Sequence, residues 1–135
     1  MEVTEALAKG IIAVFAAFLI GLGVVAFAKP GQVQRFLTGF AQNRSEHFLE
    51  MALRTIVGAS FLACAASVPY ESTFRLLGWI LVCTTAVLVL IPWRLHRRFA
   101  LLAVPRALEY TGVIGVSSIA MGVSLLFGLT SGGEI

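Results

Sequence analysis

Long apolar runs separated by short polar stretches dominate this chain. The first run extends from Gly10 to Ala28 without a charged residue. A helix of that length reaches about 28 Å at 1.5 Å per residue, which is enough to cross the hydrocarbon core of a bilayer. In lipid, every backbone N–H and C=O must be bonded internally, so each run favours a helix. We predict an all-α bundle of four transmembrane helices over about 10–28, 50–68, 74–92 and 109–129.

The first run must be distinguished from a secretory signal peptide. Ala26-Phe27-Ala28 has the small-x-small pattern of a cleavage site. The leading segment, however, has Glu2 and Glu5 against Lys9, so it lacks the basic start of a signal peptide. We expect the first run to be retained as a membrane span.

Composition supports a membrane protein. Hydrophobic residues make up 59% of the chain and charged residues 13%, against about 45–50% and about 25% in soluble domains. The residues outside the four runs are too few to build a second core. We therefore expect one transmembrane domain over residues 1–135, with no separate soluble catalytic domain and no face for nucleic acid.

The basic residues are concentrated in the two connections that follow the first and third runs. These connections hold Lys29, Arg35, Arg44 and Arg54, and Arg94, Arg97, Arg98 and Arg106. Short basic connections stay in the cytoplasm under the positive-inside rule. We expect localisation in the cytoplasmic (inner or plasma) membrane, with the basic connections inside and both termini outside.

Both basic connections show the period of an amphipathic helix. The apolar positions are Val33, Phe36, Leu37 and Phe40 in the first, and Leu95, Phe99 and Leu102 in the second. This pattern is typical of helices that lie in the headgroup region, although ordinary basic loops are an alternative. Anionic lipid is the expected partner of Arg35, Arg94, Arg97 and Arg98.

The two halves of the chain share an order of parts. Each has a span, a proline (Pro30 or Pro92), a basic stretch with an Arg-Phe pair, a Glu and a span rich in small residues. The last spans align without gaps, with Gly58 opposite Gly115. A duplicated two-helix hairpin with parallel copies is one interpretation; chance similarity between apolar segments is the other.

Small residues spaced four apart mark where helix backbones can approach in lipid. Three spans carry such stripes, at Ala13, Ala17 and Gly21, at Ala59, Ala63 and Ser67, and at Ala120, Ser124 and Gly128. A neighbouring stripe of the last span holds Ser118 and Gly122. Such stripes usually form contacts within one chain. A homo-oligomer or a membrane-protein partner at Ala120, Ser124 and Gly128 is the alternative.

One group of polar residues could carry chemistry. His47, Glu50, His96 and Glu109 lie near the basic connections. If the halves pack together, they could converge as a metal site or an acid–base pair. The ordinary alternative is that each Glu pairs with a nearby Arg, and we favour it. We therefore predict no catalytic, cofactor or metal residue. Cys64 and Cys83 are interpreted as small hydrophobic residues.

The span interiors lack the ionisable group that ion-coupled transport usually needs. We therefore expect a non-enzymatic accessory, assembly or scaffold subunit that binds protein partners and anionic lipid. The alternative is an oligomeric carrier or channel for a small apolar or weakly polar molecule. Its polar lining would be Ser60, Ser67, Thr84, Thr85, Ser117, Ser118 and Ser124.

Overall fold

The computed structural model describes residues 2–39 and 43–132, except for the side chain of Leu108. In this part of the chain every regular element is helical, which confirms the all-α prediction. The α-helices are α1 (Glu2–Ala28), α2 (Pro30–Gly39), α3 (Arg44–Cys64), α4 (Glu71–Leu90), α5 (Trp93–Ala107) and α6 (Thr111–Ser131). Short 3₁₀ turns at Ala65–Ser67 and Leu108–Tyr110 follow α3 and α5.

Four helices are long and apolar enough to cross a membrane. They are α1, α3 with its 3₁₀ turn, α4 and α6. α3 begins at Arg44, earlier than the apolar run, because Asn43 caps it: the Asn43 Oδ1 accepts the Glu46 N–H at 2.9 Å. α1 likewise begins at Glu2, and its first turns carry a Glu5–Lys9 ion pair of 2.8 Å.

Glycines form the two main helix–helix seams, in which α1 packs on α6 and α3 packs on α4. In the first seam, a Cβ added to Gly122 would lie 2.6 Å from the Ala16 carbonyl oxygen, and one added to Gly23 would lie 2.7 Å from the Gly115 carbonyl oxygen. In the second, a Cβ on Gly78 would lie 3.0 Å from the Gly58 carbonyl oxygen. These backbones approach closely because no side chain stands between them.

The predicted small-residue stripes are mostly not these seams. Ala17, Gly21, Ala59, Ala63, Ala120 and Ser124 are exposed. Of the three stripes, Gly128 lies in a tight contact, where an added Cβ would be 3.2 Å from the Phe74 ring. The exposed members of these stripes are therefore not the closest contacts within the chain, whereas Gly122 of the neighbouring stripe is. Small residues recur on several faces of each helix, and the seams form where glycine lets the backbones come closest.

The two ends of the bundle differ. At the end where α3 turns into α4, a hydrophobic core surrounds Phe61, whose ring lies 5.4 Å from that of Phe74. At the opposite end α2 packs against α5, with Val33 and Ala100 buried. The basic connections predicted to share one side are thus two helices in contact, and Phe40 lies outside the described residues.

The helix pairing bears on the duplication hypothesis. Two repeated hairpins would pair α1 with α6 in the way that α3 pairs with α4, and these are the pairs observed. The register differs, however. With Pro30 aligned on Pro92, the counterpart of Gly78 is Ala16, but Gly115 faces Gly23, two helical turns away. Duplication remains a hypothesis.

Candidate functional site

A cluster of polar side chains joins three helices at the basic end of the bundle. His47, Glu50 and Arg54 are spaced at i, i+3 and i+7, which places them along one face of α3. His96 reaches them from the first turn of α5, where the Pro92 carbonyl accepts the His96 backbone N–H at 3.2 Å. The cluster therefore links α5 to the membrane-length helices.

The two histidines are in direct contact. The His47 Nδ1 lies 2.8 Å from the His96 Nδ1, and the ring centroids are 5.0 Å apart. His47 is buried, with 4% of its surface exposed. A contact of this length needs one nitrogen that donates and one that accepts, so the pair shares a single proton between its Nδ1 atoms.

Glu50 and Arg54 continue the cluster towards α4. The Glu50 carboxylate lies 3.7 Å from His96 Nε2 and 3.6 Å from Arg54 Nη1. Arg54 donates from Nη2 to the Thr84 hydroxyl at 2.7 Å and from Nε to the Thr85 hydroxyl at 3.3 Å. Both hydroxyls in turn donate to backbone carbonyls of α4, each at 2.6 Å. The guanidinium is therefore held in place by α4.

The structure brings together three of the four residues predicted to converge. Glu109 is exposed in the 3₁₀ turn before α6, and none of the described ion pairs includes it. Arg54 belongs to the cluster instead, and it forms with Glu50 the Glu–Arg ion pair that was the ordinary alternative from the sequence. Within the described residues, no group of three or more His, Cys, Asp or Glu side chains is arranged to hold a metal ion.

The sequence carried a signal for the contact between Arg54 and the threonines. α3 and α4 form a hairpin that turns at Pro69. Arg54 and Thr84 are the same number of residues from that proline, so an antiparallel pair places them at one depth. A cation on one helix then meets two hydroxyls on the next.

The predicted lipid-binding arginines are exposed on the two short helices. Arg35 lies on α2, and Arg94, Arg97 and Arg98 lie on α5. None of the ion pairs within the described residues uses them, and Arg94 stands 5.7 Å from the Trp93 ring centroid. The apolar Leu95, Phe99 and Leu102 of α5 are exposed as well. This end of the molecule thus offers cations and apolar side chains together.

The outward face of α6 carries two of the predicted partner-binding residues. Ala120 and Ser124 are exposed, together with Ser117 one turn earlier. Several other hydroxyls bond to backbone carbonyls, as Ser60 does to Ile56 at 2.8 Å and Ser67 to Cys64 at 2.9 Å. Ser117 and Ser124 make no such bond within the described residues. Gly128 does not belong to this face, because Phe74 covers it.

The two cysteines do not pair. Both are free thiols, with Cys64 buried in the hydrophobic core and Cys83 exposed on α4. The interpretation of Cys64 as a small core residue agrees with this position.

The chain matches no family model, no curated protein and no solved structure.

Proposed function

We propose that this chain is an integral membrane protein that acts by binding, as an accessory, assembly or scaffold subunit of the cytoplasmic membrane. The four membrane-length helices support insertion. The contact between α2 and α5, which gathers the basic connections at one end, supports a cytoplasmic position for that end and an outer position for both termini.

The basic end would rest on anionic headgroups. Arg35, Arg94, Arg97 and Arg98 are exposed and free of ion pairs with the described residues. Each basic residue near an anionic surface contributes about 1 kcal/mol of attraction. The exposed Phe99 and Leu102 can enter the acyl region beside them, as in an amphipathic interfacial helix.

The observation that carries the partner-binding proposal is the outward face of α6. Ser117, Ala120 and Ser124 form a narrow track of small side chains on an exposed helix face. Two of them bring hydroxyls that bond to no described group. In lipid, small residues allow close helix approach, and serine hydroxyls can bond across helices. We assign this track, called the α6 face below, to a transmembrane helix of a second copy or of another protein.

The proposal assigns no catalysis to the polar cluster. Its charges compensate one another through the Glu50–Arg54 pair, and Arg54 is committed to Thr84 and Thr85. No serine or cysteine among the described residues bonds to His47 or His96. This arrangement suits a structural link between helices better than a reaction centre.

Disulfide trapping in native membranes tests the α6 face. In a Cys83→Ala background, mild oxidation should join Ser124→Cys to the same cysteine of a second copy, or to a cysteine of another protein where its helix carries one at this depth. Ala17→Cys is the matched control, since Ala17 is exposed on another long helix. A homodimer would identify the partner as a second copy, and a larger adduct would identify another protein.

The double variant Ala120→Leu, Ser124→Leu should cause the same assembly to dissociate, as seen on native gels, because the larger side chains prevent close approach of the partner helix. Ala17→Leu should leave the assembly intact. An assembly that survives the double variant, or equal trapping at Ser124→Cys and Ala17→Cys, would show that the α6 face is not the interface.

A further inference from the structure

A lateral groove runs between α1 and α3 and is separate from the α6 face. It has a volume of about 850 Å³ and is lined by one stripe of α1, by α2, by the part of α3 from Glu50 to Val57 and by Leu81 of α4. Most of the lining is apolar, including Leu7, Val14, Phe18, Phe36, Leu53 and Ile56. Val14 is 71% exposed, so the groove is open along its side.

The groove has one polar end. Glu50 and Arg54 are the charged residues of its lining, and both belong to the polar cluster. Their side chains are 20% and 30% exposed, and the small polar part of the groove surface leaves access for a single bonding group of a ligand. A guanidinium has five N–H donors, and Thr84 and Thr85 take two of those of Arg54. Unused donors and carboxylate lone pairs therefore remain at this end.

The charge of this end selects the class of ligand. Glu50 and Arg54 lie 3.6 Å apart and compensate each other. An anionic headgroup would displace Arg54 from Glu50 or be repelled by the carboxylate, and a cationic one would meet the same difficulty with Arg54. An uncharged hydroxyl or carbonyl can bond to the pair without breaking it.

None of the seven hydroxyl residues expected to line a carrier lines this groove. Four of them, Ser60, Ser67, Thr84 and Thr85, already bond to backbone carbonyls. The groove thus lies within one chain rather than between subunits, and its charged residues are the Glu50–Arg54 pair.

We propose that the groove binds an uncharged amphiphile, with an elongated apolar body along α1 and a hydroxyl or carbonyl end at Glu50 and Arg54. The volume falls within the range of about 300–1,000 Å³ of small-molecule sites. The ligand would enter sideways from the bilayer, since the open side faces the exposed flank of α1. Membrane insertion is the one premise shared with the proposed function.

Photolabelling of the full chain in nanodiscs tests this site. Three diazirine probes of equal chain length are compared: a fatty alcohol, an alkyl sulfonate and an alkyl trimethylammonium. The alcohol should label peptides of α1 and α3 about tenfold more than either charged probe, a difference of about 1.4 kcal/mol. Equal labelling by all three would mean that bulk acyl chains fill the groove, which overturns the proposal.

Two variants locate the site. Val14→Trp should fill the groove and lower alcohol labelling about tenfold. Val24→Trp is the control, because Val24 is exposed on the same helix and lies outside the lining. Labelling that persists in Val14→Trp, with both proteins monodisperse and equally helical, would place the probe elsewhere and overturn the proposal.

Variants that remove one charge test whether Glu50 and Arg54 contact the polar group of the ligand. Glu50→Gln should move the preference to the sulfonate, and Arg54→Gln should move it to the trimethylammonium. An unchanged preference in both would show that this end does not contact the ligand. If these variants fail to fold, two measurements still test whether the groove binds the uncharged probe. They are the comparison of the three probes on the wild type and the comparison of Val14→Trp with Val24→Trp. Loss of the α6 assembly would leave these results unchanged, so the two proposals fail separately.

Discussion

Two imidazole rings hold the basic surface helix against the bundle. His96 belongs to α5, which carries Arg94, Arg97 and Arg98, and its partner His47 is buried on α3. The 2.8 Å contact between their Nδ1 atoms accommodates one proton. Protonation of the accepting nitrogen would remove the acceptor and leave two N–H groups facing each other. Protonation of both rings would place two cations side by side, with Glu50 near His96 to compensate one of them.

This contact predicts that acid destabilises the fold. Histidines titrate near pH 6.5 in general. Because the folded pair cannot hold a proton on both facing nitrogens without losing its hydrogen bond, the folded chain takes up fewer protons than the unfolded chain between about pH 7.5 and 5.5, and its stability falls as the pH falls. We expect a loss of about 1–3 kcal/mol, the cost of an unsatisfied buried polar group. Thermal unfolding in nanodiscs across this range measures it.

His47→Gln provides the control for the pH effect. It keeps a side chain that can bond to His96 and removes one titrating group, so the unfolding temperature should change less with pH. Equal pH dependence in wild type and variant would show that the pair does not control the response.

At the scale of elements, the helices pack closely where a glycine, which has no Cβ, faces the backbone of the neighbouring helix. Gly122 packs on the Ala16 carbonyl and Gly23 packs on the Gly115 carbonyl, so α1 and α6 meet backbone to backbone. In lipid this close packing replaces the hydrophobic effect as the source of association. The positions of glycines therefore fix which helices pair.

Gly122→Ala should weaken the α1–α6 seam. The new Cβ would lie 2.6 Å from the Ala16 carbonyl oxygen, and a backbone atom cannot move aside without separating the helices. We expect a loss of about 1–3 kcal/mol, as for other overpacked sites, measured as a lower unfolding temperature in nanodiscs.

The matched control is Gly21→Ala, at an exposed position of α1 where a Cβ would meet nothing within 4 Å. It should be neutral or gain up to about 1 kcal/mol of helix propensity. If the two alanines had the same effect, the seam would not depend on glycine at position 122.

The helices could be predicted from the sequence and the seams could not, for physical reasons. An apolar run bounded by Pro92 or Pro30 has one way to satisfy its backbone in lipid, so its helix is determined locally. Seams depend on pairs of faces, and the exposed Ala17 and Ala120 resemble the buried Ala16 in sequence. The candidate site could be predicted in part. The short separation in sequence indicated that Glu50 pairs with Arg54, whereas the position of Glu109 relative to the histidines depends on how α6 packs, which the sequence does not determine.

At the scale of the whole molecule, polarity is divided between the two ends. The hydrophobic core around Phe61 lies at one end, and the polar cluster and exposed arginines lie at the other. Under the positive-inside rule, this asymmetry predicts that the end with the arginines lies in the cytoplasm. The proposed lipid contact, the proposed interface at the α6 face and the proposed ligand site all require four helices that cross the bilayer with the arginines inside.

Labelling of introduced cysteines in intact cells tests that claim most directly, since the native Cys64 is buried. In a Cys83→Ala background, Ser72→Cys reports the connection between α3 and α4, and Arg97→Cys reports α5; both positions are exposed. A membrane-impermeant maleimide should label Ser72→Cys in intact cells. It should label Arg97→Cys only after the membrane is permeabilised. Labelling of Arg97→Cys in intact cells would show that the orientation is the opposite of the one proposed. Labelling of both positions only after permeabilisation would contradict the membrane-spanning arrangement.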